Sequence, residues 1–600
     1  MDSTAYSSKK IGFAASAGTH YAAEAAAEVY LAGGNAADAA VAAAVAVAVT
    51  EPLMSSVGGG GFALVRSPGG AELIDYYDCM PGKGLPPSAF GAGGSPMSVI
   101  LKYGAGVKSI VGAASCAVPG SLRGWELLVR RHGRLTLRQT LAPAIRLARD
   151  GFKLGKTSGM WCEVAEEVLR LTEETKKNFF KDGRPYRQGE EIRFPELADT
   201  LEAVGEEGAD LFYEGELGRR ISSYILQEGG IITEEDLATY ETIVREPLSF
   251  AYSGSTVHTN GPPSAGGPTL AQIMRVISAY DLASIPDADY AKILAGAMKY
   301  ALEDRERAYT EITENARVAE RLMGEEYVRG QRARIMGSGS TLGDAFGSPH
   351  TTHLSCVDAS GLAVSITASM GYGSGIVIPG TGIPMGNTLG EPELNPKGFH
   401  ALPPGERLIS SMSPTVVSSP AGDIVSLGSP GSGTEVIALR VLRAAGIDPD
   451  SDIDRQQLGV DESVDAVRDG TIDAFFWSGG LPTGAVTDLA TTDQIVLLPS
   501  VEYLDALRGQ YGEVYQEATI PAGTYEGFDQ DVPVIAVPNY LVVNESMDEE
   551  LAYDITKVLF DQQDALAEAH PEARNLDINT APQTPPLELH PGARRYYDEG

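Results

Sequence analysis

The sequence predicts a large α/β protein made of more than one globular unit, and three observations lead there. The chain has 600 residues, 43% of them apolar, which is more than one ordinary domain core accommodates. Around residue 351 a polar, glycine-rich stretch gives way to alternating apolar residues, the pattern of a half-buried strand pair. Beyond about residue 428, short apolar runs (471–476, 494–498, 532–537) alternate with amphipathic ones (463–468, 503–508, 549–561), as strands alternate with helices.

The net charge of −35 sets limits on partners. An acidic surface of this size repels polyphosphate and anionic lipid, so a nucleic-acid or membrane-surface partner is not expected. Cys79, Cys116, Cys162 and Cys356 have no metal-ligand spacing and no pairing pattern, and are expected to pack as inert side chains. The first ten residues lack the apolar core of a signal peptide, and no later apolar run is both long and glycine-free enough to span a membrane. As written, the chain is expected in the cytoplasm.

Taken in order, residues 22–49 are dense in Ala and Val and are broken by Gly33-Gly34-Asn35. This predicts two closely packed helices, with Gly33-Gly34 ending the first and Asn35 capping the second. Four consecutive glycines, Gly58 to Gly61, precede Phe62, so backbone there is expected to pack against backbone or substrate. A strand over 71–76 runs into Tyr77, Asp78 and Cys79. Thr233 with Asp236 marks a helix start. Residues 291–309 predict a long helix whose Glu303-Asp304-Arg305-Glu306-Arg307 run faces solvent. Residues 352–357 and 361–367 predict two strands around the turn at Asp358 to Gly361.

The chemistry is expected at His350-Thr351-Thr352-His353. A threonine hydroxyl is unreactive at neutral pH and needs a base beside it. The free α-amine of the same residue, exposed when the preceding bond is cut, is one such base. Thr351 lies between a mobile-looking strap, 336–348, and a strand, which suits such a cut.

Several stretches resemble the γ-glutamyltransferase (γ-glutamyltranspeptidase) family of N-terminal-nucleophile hydrolases. They include Gly33 to Ala40, Gly58 to Phe62, Val118 to Trp125, Thr351 to His353, Pro384 to Glu391 and Arg407 to Thr415. The likeness covers about residues 1–430. It implies an αββα sandwich, self-cleavage before Thr351 and Thr351 as the nucleophile. It places Ser369 as a supporting hydroxyl, Glu391 on the substrate α-amine, and Ser410 and Ser411 on its carboxylate. The oxyanion loop falls on Gly431 and Ser432, whose backbone N–H groups would serve. The family usually carries a carboxylate-gripping arginine where this chain has Tyr77, and a tyrosine cannot form a guanidinium fork. The implied activity is γ-glutamyl transfer or hydrolysis on glutathione or a related γ-glutamyl amide. The partners implied are that small substrate and the chain's own cleaved subunit. No cofactor and no metal are expected. Relatives of this kind are often exported, which stands against the cytoplasmic expectation.

Beyond Gly428 the text changes. Gly428 to Glu435, Ser463 to Pro482, Ile520 to Tyr525 and His590 to Tyr597 resemble the TAXI-type solute receptors of TRAP transporters, which are periplasmic-binding-protein folds. Trp477 and Tyr525 are candidate pocket walls. The divisions expected are therefore 1–350, 351–427 and 428–600, with 351–427 expected to be a truncated end of the sandwich and 428–600 a partial receptor-like α/β lobe. The alternatives to the enzyme are a solute-binding protein and a non-functional chimera of the two.

Overall fold

A computed structural model describes residues 5–8, 12–91, 96–101, 107–278, 280, 293–305, 321–337, 351–419, 424–427, 440–447, 460–468, 472–493, 495–511, 515–537, 541, 547–564, 567, 573–574, 576–584 and 589–599.

Two antiparallel sheets form the centre. The strands are β1 (Ala5–Ser8), β2 (Phe13–Ser16), β3 (Gly60–Ser67), β4 (Gly70–Tyr76), β5 (Ile243–Arg245), β6 (Leu248–Tyr252), β7 (Ser255–Thr259), β8 (Thr352–Asp358), β9 (Ala363–Ser369), β10 (Thr415–Ser418) and β11 (Ile424–Leu427). The first sheet has the order β1-β2-β8-β9-β3-β4-β5 and the second β6-β7-β10-β11. The β8–β9 turn forms as its sequence predicts: Asp358 Oδ1 accepts from Ser360 N–H at 2.8 Å, and Gly361 takes φ of +79°, which a side chain would resist.

Side-chain alternation assigns the faces of the first sheet. Leu354, Cys356, Val364, Ile366, Ala63, Val65 and Ile74 join one apolar core with the N-terminal helices. Phe62, Leu64, Leu73 and Ala363 join another core with Val416 of β10. On the helix side lie α1 (His20–Leu31), α2 (Ala36–Thr50), α3 (Ser121–His132) and α4 (Leu137–Asp150). Thr19 caps α1. Asn35 caps α2 in a reciprocal box with Asp38, as the sequence implies. Every residue of α2 is buried, because alanine lets the helix axis approach the sheet closely. On the outer side of the second sheet lie α5 (Gly266–Ile277), the helical segment 293–305 and α6 (Glu325–Gly337). The layers are therefore helix, sheet, sheet, helix.

The segment 293–305 forms part of the helix expected over 291–309; positions 291–292 and 306–309 lie outside the described residues. Its acidic run does not all face solvent. Asp304 is buried, and its Oδ2 accepts from Gln272 Nε2 at 2.7 Å, Gln331 Nε2 at 2.9 Å and the Tyr327 hydroxyl.

Past β11, described helices are α7 (Val460–Arg468), α8 (Gly484–Thr492), α9 (Leu504–Tyr511), α10 (Glu549–Asp561) and α11 (Pro591–Glu599), with a hairpin β12 (Gln516–Ile520) and β13 (Val532–Ala536). Val441, Leu504, Leu507 and Tyr515 share a small core of their own. The strands expected over 471–476 and 494–498 are not formed at the described positions 472–476 and 495–498. A central parallel strand needs ladder neighbours on both sides. Here Val496 and Leu498 stand 78% and 72% exposed. Among the described residues no helix is long and apolar enough to cross a membrane.

Candidate active site

Thr351 is exposed and stands one residue before β8. Its side chain falls on a definite face. Thr352 points to the helix layer, where its Oγ1 donates to Glu51 at 2.6 Å. His353 and Ser355 point the other way, and the Ser426 hydroxyl of β11 donates to Ser355 Oγ at 2.8 Å across the gap between sheets. Alternation sets Thr351 on this second face. The β8–β9 register pairs Thr352 with Ala368 and His353 with Thr367; continued by one step, it sets Thr351 opposite Ser369. The next strand over pairs Ser369 with Gly60.

The glycine run Gly58 to Gly61 makes room on this face. A Cβ built on Gly60 would lie 2.5 Å from Asp78 Oδ1, so the Asp78 carboxyl occupies the space a side chain would fill. Two strand spacings, about 10 Å, separate it from the Thr351 position. Asp78 Oδ2 accepts from the Thr388 hydroxyl at 2.5 Å. Burial pushes the Asp78 pKa up to about 7, against the lowering effects of Thr388 and Arg407.

Ser369 is buried, and its Oγ accepts from Gly371 N–H at 3.0 Å. Gly371 has φ of +63°, and a Cβ there would lie 2.2 Å from Glu391 Oε1 and 2.4 Å from Asn387 Oδ1. Glu391 is thus brought against the Ser369 turn. Burial holds its pKa well above the usual carboxylate range, reinforced by the charges of Glu393 and Asp78. The result is a pair of buried carboxyl groups beside Ser369, both of which burial shifts toward the protonated form.

The residues expected to hold a carboxylate are placed as follows. Ser410 is buried and its Oγ accepts from Met412 N–H at 3.0 Å. Its segment is tied to this carboxyl pair through Leu408, whose N–H donates to Asp78 O at 2.9 Å. It is also bridged to Ser264, so the Pro262-Pro263-Ser264 loop forms part of this wall. Ser411 is exposed and its Oγ accepts from Arg305 Nη2 at 2.7 Å. Tyr77 lies in the apolar layer between the sheets, stacked on Phe62 with centroids 5.4 Å apart. Arg407 is committed to the fold: it pairs with Asp75 at 3.2 Å and donates to Tyr77 O at 2.6 Å. His350, Gly431 and Ser432 lie outside the described residues. In the C-terminal region Trp477 Nε1 donates to Thr483 Oγ1 at 2.9 Å, and Thr483 N–H donates to the Tyr525 hydroxyl at 3.1 Å, which brings both aromatics to one loop.

Sequence reasoning missed Glu51, Asp78, Asn387, Thr388 and Arg305 as site neighbours. The glycine run was the available signal for Asp78, since something must fill the space such a run opens. The cysteines are all buried and free. Burial drives the thiols of Cys79, Cys116 and Cys162 up to about 11, 12 and 12, so they remain protonated at neutral pH.

Two facing antiparallel sheets between helical layers, with a threonine at the head of a central strand, define the architecture of an N-terminal-nucleophile hydrolase. The comparisons agree. The Gamma-glutamyltranspeptidase family profile matches residues 22–444. A "Glutathione hydrolase proenzyme" of Escherichia coli K12 is 33% identical over 436 residues, spanning 68% of this chain and 72% of that protein. An "Acylase ACY 1 proenzyme" of Pseudomonas sp. SE83 is 32% identical, spanning 71% and 76%. The cephalosporin acylase crystal structure from Bacillus halodurans aligns with a TM-score of 0.60 at 25% identity, covering 89% of this chain and 98% of that one. The chain belongs to the gamma-glutamyltranspeptidase family. A second profile, the NMT1-like family, matches residues 416–600, so the two matches overlap over 416–444.

Proposed function

We propose that the protein cleaves its own His350–Thr351 bond and then hydrolyses or transfers the acyl group of a γ-glutamyl amide such as glutathione. Thr351 Oγ1 attacks the amide carbonyl while the Thr351 α-amine takes the hydroxyl proton. The leaving amine receives that proton, and water or an acceptor amine resolves the acyl-enzyme. Ser369 supports the hydroxyl from the facing strand. Glu391, with Asp78, attracts the substrate α-amine. Ser410 and Ser411 meet its carboxylate. The N–H groups of the Gly431–Ser432 loop bind the oxyanion. Tyr77, buried against Phe62, contributes packing below this end rather than a charge.

The observation that carries the reading is the head of β8: one register step sets Thr351 beside Ser369, on the face that also holds Asp78. Relatives described as glutathione hydrolase proenzymes support the substrate class. The division of labour follows: 1–350 and 351–427 as the two products of the cut, and 428–600 as a receptor-like unit attached to them.

A second reading is an acylase acting on a donor without the α-carboxylate. The tyrosine at position 77 favours it, as does the likeness to acylase proenzymes.

Purified protein held at neutral pH is expected to split into two fragments, the smaller beginning with Thr351, as read by N-terminal sequencing. Thr351→Ala is expected to stay a single chain. A wild-type chain that remains intact on prolonged incubation would sink the proposal.

A further inference from the structure

Among the described residues, the backbone ladder at the head of β8 runs on one side only. The strand's ladder with β9 begins at Thr352, but its ladder with β2 begins three residues later, at Ser355 opposite Ser16. The chain leaves β2 after Ser16 and turns through Gly18 and Thr19 into α1. Thr352, His353 and Leu354 therefore have no β2 partner. A cut before Thr351 would turn this stretch into a chain terminus, and termini fray unless something ties them down.

Glu51 meets this stretch from the helix layer. It follows directly on α2, it is buried, and its side chain accepts the Thr352 hydroxyl at 2.6 Å. The space for its carboxyl exists because residue 18 is glycine: a Cβ there would lie 2.4 Å from Oε2 and 2.5 Å from Oε1. The Glu51 backbone is anchored too, with its N–H donating to Val47 O at 2.7 Å and its carbonyl accepting from Met54 N–H at 2.9 Å. Burying a carboxyl is costly. Here it supplies one well-placed acceptor to the residue that follows Thr351.

We infer that Glu51 is a positioning residue for Thr351: by holding the Thr352 hydroxyl from the helix layer, it keeps the first residue of β8 in phase and Thr351 aimed between the sheets. The inference rests on the proposed role of Thr351. It concerns a contact behind the site rather than the substrate.

The test is a double-mutant cycle read on two signals. In the full chain, Glu51→Ala and the near-isosteric Thr352→Val are expected to slow cleavage before Thr351 by about ten-fold or more. The double variant should be no slower than the slower single one. Glu51→Gln and Thr352→Ser, which keep an acceptor and a hydroxyl, should recover most of the rate. In a Thr351→Ala background, hydrogen exchange over 352–354 should rise in the Glu51→Ala and Thr352→Val variants, and not in Glu51→Gln. Full-rate cleavage by Thr352→Val, multiplicative slowing in the double variant, or Glu51→Gln as slow as Glu51→Ala would each overturn the inference. Unchanged exchange would do so as well. If the wild type fails to cleave but the exchange pattern appears, the positioning role stands and the proposed reaction does not.

Discussion

Asp78 and Gly60 occupy one another's space: the carboxyl sits where a Gly60 side chain would be, 2.5 Å from that Cβ position, with Thr388 donating to its other oxygen. Burial makes this acid neutral below about pH 7 and charged above it, and only the charged form attracts a substrate ammonium.

The sign of the resulting pH dependence follows. For a donor carrying an α-amine, KM should fall as pH rises from about 6 to about 8, until the amine itself begins to lose its proton. Asp78→Asn should flatten this limb, and a donor without the amine should not show it. Steady-state kinetics across that range check it; a KM that rises over the same interval counts against the assignment.

Substrate discrimination at the other end should be weak. With Tyr77 packed on Phe62, position 77 offers no guanidinium fork, and losing one charge-assisted contact costs about 1.5–3 kcal/mol, or roughly ten- to hundred-fold in affinity. A γ-glutamyl anilide and the same anilide without the α-carboxylate should therefore differ little in kcat/KM. Any preference that remains should vanish in Arg305→Ala, because that guanidinium reaches Ser411 Oγ.

Removing residues 441–600 should leave the sandwich intact. All described strands of the two sheets lie at or before Leu427, and the apolar cluster of Val441, Leu504, Leu507 and Tyr515 is separate. Limited proteolysis should give the same protected fragments with and without the deletion, and cleavage before Thr351 should persist. Loss of that cleavage in the truncated chain alone would make the C-terminal unit part of the enzyme's fold.

Asp304→Ala strands two amide donors and a phenol in a buried pocket and should cost about 3 kcal/mol in urea unfolding. All three bonds converge on Oδ2, so Asp304→Asn, with its carbonyl in that place, should lose much less.

What could be read in advance was local. The α1–α2 pair, the Asn35 cap, the β8–β9 turn and the strand after Thr351 all follow from patterns a few residues long. The misses are long-range. The run Glu303-Asp304-Arg305 looks like a solvated face by charge alone, and only α5 and α6, contributing Gln272, Gln331 and Tyr327, bury its middle member. Glu51 went unnoticed, since nothing local couples it to a hydroxyl 301 positions away. At the end of β4 the pleat stops, so alternation no longer says whether Tyr77 or Asp78 reaches the site. The strands expected over 471–476 and 494–498 failed for a related reason: a segment with strand composition needs neighbours to pair with.

The alternation along β8 also makes the strand a reading frame. Thr352 and Leu354 belong to the helix layer, Thr351 and His353 to the gap between sheets, and the two phases are one residue apart. Insertion or deletion of a single residue between Thr351 and Asp358 would invert every side chain upstream of it, turning Thr351 into the helices while leaving composition and length almost untouched. A change of two residues would restore the phase. The position of Thr351 is thus encoded as a parity, counted from the turn at Asp358, and its place in the gap between sheets survives even shifts of the chain but not odd ones.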